Sequence, residues 1–133
     1  FGSIFSLFQV KSRQNAEVLA TQRLVWAEYL RSAVKNFAFA MYEGKDLEPY
    51  RLGVFIYLTP RNVDHMPLIK AIDELCKKED KYIESDYRTL LSEAQKVLHG
   101  NWLMVKSELT LWEHEERQRD KRYKALKYER SVD

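Results

Sequence analysis

Residues that interrupt helices are scarce in this chain: its 133 residues include only 4 glycines and 3 prolines. Such a composition leaves long unbroken helices as the expectation. Gly44, Pro49, Gly53, Pro60 and Pro67 share one window, outside which stand only Gly2 and Gly100. A single cysteine, Cys76, excludes an internal disulfide and fits a reducing cytoplasmic setting. There is no Gly-rich phosphate loop and no Ser-centred elbow, which removes the commonest nucleotide-binding and hydrolase signatures. What the chain does hold is 45% hydrophobic and 32% charged residues, a balance that suits one packed domain with a well-solvated exterior.

The formal net charge is only +2, but it is unevenly spread. Between 11 and 35 there are five Lys/Arg against two acids, between 43 and 93 eight against eleven, and between 117 and 130 seven against two. Both ends are therefore basic and the middle acidic.

Hydrophobic spacing predicts four helices. Leu19, Trp26, Leu30, Ala33, Phe37 and Met41 recur at helical steps and place a long amphipathic helix up to Gly44, a C-terminal cap. Asp46 is expected to cap a short second helix, with Pro49 in its opening turn and Pro60 as its stop. The run Val54 to Leu58 has strand character, but no second run is available to pair with it, so a buried helix is expected. Asn62 or Asp64 would cap the third helix, with Leu68, Ile72 and Leu75 as its core stripe. Leu91, Ala94, Leu98, Trp102, Val105, Leu109 and Trp112 then mark a fourth helix over 86–130, about 65 Å long at about 1.5 Å per residue. The expected fold is an all-α antiparallel bundle with long first and last helices. Trp26, Trp102 and Trp112 are its expected core anchors, with Trp26 level with Lys106 and Lys11 level with Arg122.

The opening FGSIFSLFQV is apolar and breaks into Lys11 and Arg13. About 15 Å of helix cannot cross a hydrocarbon layer of about 30 Å, but it can form the last turns of a helix that does. The cations that follow match the positive-inside pattern. Residues 1–12 are accordingly expected to end an N-terminal membrane helix, and 13–133 to form a bundle on the cytoplasmic side of the cell inner membrane. A buried amphipathic start of a soluble bundle is the other reading of the same stretch. In the membrane reading Lys11, Arg13, Lys121, Arg122, Lys124 and Lys127 form a membrane-proximal surface facing anionic lipid, with Tyr123 and Tyr128 at headgroup depth.

Several landmarks accompany this pattern: Arg23, Trp26, Leu30 and Arg31; Leu58-Thr59-Pro60; Asp64-His65 with Leu68 and Ile72; and Asn101-Trp102 with Val105, Lys106 and Glu108. Together they resemble a loose group of uncharacterised bacterial proteins that join an N-terminal membrane helix to a cytoplasmic helical domain. Thr59 stands where that group has Asn, and Asn101 where it has Glu. The resemblance implies a membrane-anchored module without a known catalytic residue, of a kind associated with membrane effectors of antiphage or toxin systems.

Tests for chemistry return little. The residues three before His65, His99 and His114 are Asn62, Lys96 and Leu111, so the Glu-x-x-His of a di-iron bundle is missing. Gln118 occupies the position where a zincin helix after His114-Glu115 needs its second His. Asp64-His65 is explained by a cap and a first-turn His, Cys76 by a core thiol, and Arg23 and Arg31 by ion pairing with Glu108 or Glu113. No catalytic residue, metal or cofactor is expected, and the chain is read as a non-enzyme. Protein–protein interaction at the membrane, with a protein partner or by self-association, is the expected function. The alternative is a soluble helical scaffold whose tail, RQRDKRYKALKYER, contacts nucleic acid, against which the near-neutral total charge argues.

Overall fold

A computed structural model describes residues 2–132, with side chains described over 15–127 apart from that of Trp112. The fold is an all-α bundle of four helices: α1 (Gly2–Glu43), α2 (Glu48–Phe55), α3 (Met66–Lys77) and α4 (Glu84–Val132). The chain divides into two compact units, Arg23–Trp102 and the paired segments Phe1–Gln22 and Leu103–Asp133. Among the described residues no helix is long and apolar enough to cross a membrane. The expected membrane segment at 1–12 lies outside the residues whose side chains are described.

In the unit Arg23–Trp102, α1 ends as its sequence demands. Gly44 takes φ +68, the Lys45 N–H reaches the Ala40 carbonyl at 3.0 Å and the Gly44 N–H reaches that of Met41 at 3.3 Å. This Schellman closure satisfies two carbonyls that the helix would otherwise leave open, and it needs a residue without a Cβ. In α2, Asp46 Oδ1 accepts the Glu48 N–H at 3.2 Å, with Pro49 in the opening turn. The helix stops at Phe55, before Pro60, because Tyr57 and Leu58 bond back to Val54 and Phe55 in tighter turns. The residue before a proline disfavours helical geometry, so those turns are a natural exit.

The third helix starts later than its expected caps. Asn62 Oδ1 accepts the Asp64 N–H at 2.9 Å and forms a turn ahead of the helix, while His65 occupies the N-cap position and Pro67 the first turn. Leu68, Ile72 and Leu75 are buried in the core, as their spacing predicts. At the start of α4, Asp86 Oδ2 accepts the Ile83 N–H at 2.8 Å and the Lys78 ammonium at 2.6 Å. Tyr82 donates its hydroxyl to the Leu75 carbonyl at 3.0 Å, satisfying the end of α3. Lys78 and the Ile83 N–H hold the Asp86 carboxyl below its ordinary value.

The core of this unit is built from Leu30, Val34, Phe37, Ala40 and Met41 of α1, Val54 and Leu58, the α3 stripe, and Leu90, Ala94 and Val97 of α4. Of the expected α4 seam, Ala94 is buried and Leu98 packs partly on the core, while Leu90 and Val97 join it in place of Leu91. Leu91 is 49% exposed and Trp102 also 49%. Trp102 is corrected from core anchor to flank: Asn101 is half-buried beside it, and its amide donates to the Arg23 carbonyl at 3.0 Å. That bond also corrects the expected register within this unit, since it sets Trp26 near the level of Leu98.

In the unit formed by Phe1–Gln22 and Leu103–Asp133, the buried apolar side chains among the described residues are Ala20 and Val105. Val18, Leu19, Leu103, Met104, Leu111, Tyr123 and Leu126 of the same unit are all exposed. Leu19, expected on the buried stripe, gives its place to Ala20.

Candidate interaction surface

Within the unit Arg23–Trp102, α1 and α4 run antiparallel and leave an apolar groove of about 590 Å³ along one side. Val34, Ala38, Phe39 and Tyr42 line it from α1, and Tyr87, Leu91, Ala94 and Leu98 from α4. The floor follows from helical spacing: Ala38 and Ala94 are small, so the helix surfaces recede there, whereas Phe39, Tyr42 and Leu91 stand up as half-exposed or exposed walls. Charge enters from α1 alone, as Arg31 and Lys35, and Gln95 faces them from α4. Lys35 lies 5.8 Å from the Phe39 ring centroid, so its charge is kept over the groove wall.

Another contact of α1 is aromatic. The Trp26 indole N–H donates to the Tyr57 carbonyl at 3.0 Å, and its ring stacks on that of His65 with centroids 5.8 Å apart and planes 14° apart. Tyr29 stacks on Tyr57 in turn, with centroids 5.9 Å apart. The connection after α2 is thus fastened to α1 by two ring pairs and one hydrogen bond. Trp26 is half-buried against the core cluster. A tryptophan seeking an acceptor for its N–H is the only hint of this in the sequence.

Arg51 joins α2 to α3, bonding Asp73 at 3.1 Å and Glu48 on its own helix, with its face over Phe55. Both carboxylates raise the pKa of its guanidinium, as expected for an ion pair that ties two helices. Cys76 is half-buried against the core, and burial raises its thiol pKa, which keeps it protonated and a poor nucleophile. Arg31 pairs with Glu28 one turn back, and Glu113 pairs with Arg117, both within a helix.

Lys121, Arg122, Lys124 and Lys127 are all exposed on α4, with Tyr123 among them 65% exposed. The side chains of Lys11, Arg13 and Trp112 lie outside the described residues. Among the described residues no group of three His, Cys, Asp or Glu could hold a metal ion. Comparison with protein-family models, with curated proteins and with solved structures finds no match for the chain.

Proposed function

We propose that the chain is a helical interaction module that works at the cytoplasmic face of a bacterial inner membrane and binds an amphipathic helix of a protein partner in the α1–α4 groove. The groove itself carries this reading. It is long, apolar and open, its walls are half-exposed Phe39 and Leu91 and exposed Tyr42, and α2 and α3 do not line it. A helix laid into it would bury those walls through residues spaced i, i+3/i+4 and i+7. Arg31 and Lys35 on the rim favour acidic residues on the flanks of that helix. The exposed cations at 121, 122, 124 and 127 support a lipid-facing role for the end of α4. Service as a membrane effector in an antiphage or toxin-type system rests on the family resemblance. The exposed Tyr123, set between two cations, favours one second reading, contact of the tail with single-stranded nucleic acid.

The test uses the full chain and two dye-labelled synthetic helices that share one leucine stripe, one with glutamates on its flanks and one with lysines. The glutamate helix should bind at least tenfold tighter, more weakly as salt rises, and lose binding with Phe39→Glu. Equal binding of both helices, or binding indifferent to Phe39→Glu, rejects the reading. Concentration-dependent dimerisation abolished by Phe39→Glu would assign the groove to a second copy instead.

A further inference from the structure

The groove does not involve His65, yet this side chain has the most specific surroundings of any titratable group in the connection between α2 and α3. Its Nδ1 accepts the Thr59 N–H at 3.0 Å, which places the ring proton on Nε2 and makes the imidazole neutral. The Asn62 amide nitrogen stands 3.4 Å from Nε2. One face of the ring is covered by Trp26 of α1. The turn holding it is closed by the His65 N–H on the Asn62 carbonyl at 3.0 Å and by the Asp64 N–H on the Asn62 side chain. Thus a single imidazole ties both ends of the segment 59–65 together and, beside the Tyr57 contacts, adds a second hold on the long helix.

The geometry points to His65 as a pH-operated clasp: neutral, it holds the 59–65 connection on Trp26, and protonated, it turns its acceptor into a donor and releases that connection. An imidazolium carries a hydrogen on each nitrogen, so Nδ1–H would face the Thr59 N–H with no acceptor between them. The groups facing the ring are Trp26 from α1, Thr59 and Asn62 from the connection, and Asp64 beside it. Asp64 favours the cation, as does the Trp26 face, but burial outweighs the carboxylate and leaves the His65 pKa below its ordinary value of 6.5. The sign follows: the clasp is fully closed above 6.5 and weakens as pH falls toward the lower value of the closed state. Release would uncover Leu58, 7% exposed when the clasp is shut, and the Trp26 face. Mild acidification would thereby present apolar surface beside the exposed Val63.

The experiment follows the full chain from pH 8 to pH 5 by NMR, reading the His65 ring carbon and the Thr59 amide together. Both should move with one midpoint below 6.5, and the Thr59 protection factor, corrected for intrinsic exchange, should fall by up to about tenfold per pH unit below that value. In a Trp102→Phe/Trp112→Phe background, Trp26 fluorescence should change with the same midpoint. His65→Gln keeps an acceptor without a titrating ring and should make both the Thr59 and the Trp26 signals flat over this range. Titration of His65 with an unmoved Thr59 amide overturns the clasp, and so does a pH response that persists in His65→Gln. The first of these readings needs no variant, so a misfolded substitution cannot mask the answer.

Discussion

The two units share α1 and α4 but differ in how much apolar surface their described side chains bury. In Arg23–Trp102 the helices surround a closed core that includes fully buried Phe37, Leu30, Leu68, Ile72 and Leu90. Of the described side chains in the Phe1–Gln22 and Leu103–Asp133 unit, Ala20 and Val105 are the buried apolar ones, and large apolar residues such as Leu111 and Leu126 face outward. Intrinsic helix propensity contributes only tenths of a kilocalorie per residue, so packing decides which stretch of a helix holds firmly. The lesson is that one continuous helix can bury its apolar residues well over one stretch and leave them exposed over another.

Phe37→Ala should break the comparison most severely. Removing a fully buried ring from the closed core should cost about 3–5 kcal/mol, read as a fall in the urea midpoint and a loss of amide protection across 23–102. Val105→Ala tests the sparse unit. It should cost about 1–2 kcal/mol and raise amide exchange mainly over 103–132, leaving Phe37 and its neighbours protected. A global loss of protection in that variant would mean the two units unfold as one. The smallest effect concerns Asp86 at the head of α4. Its carboxyl lies below the ordinary 3.8, so its contribution is complete above that pH and fades as pH falls through the lower folded-state value. Asp86→Asn should lower the thermal midpoint at neutral pH and flatten its fall below pH 4.

The elements with local causes were legible in the sequence. Gly44 as a cap, Pro49 in the first turn of α2 and the Leu68, Ile72 and Leu75 stripe all rest on chemistry within one or two helical turns. The face of α4 was only partly legible: Ala94 and Val105 are buried as their spacing predicts, but apolar residues occupy two adjacent faces, Leu90 beside Leu91 and Val97 beside Leu98. Periodicity cannot choose between such neighbours. The core selects Leu90, Ala94 and Val97, and leaves the bulkier Leu91 and Trp102 at the side. The Trp26–His65 pair was hidden for another reason, as residues 39 positions apart share no periodic signal. The exposure of the basic stretch 121–127 was legible from charge alone. The groove was not, since it is created by the register of two helices rather than by either sequence.

The hydrogen bond from Asn101 to the Arg23 carbonyl joins groups 78 positions apart. At about 5–20 residues per second of synthesis, the donor is made about 4–16 s after its acceptor. Over that interval α1 is complete while the α4 side of its core has yet to emerge. During biogenesis, of the elements that cover Phe37 and Leu30 in the finished core, α2 and α3 are made before α4, so α4 is the last of them to arrive.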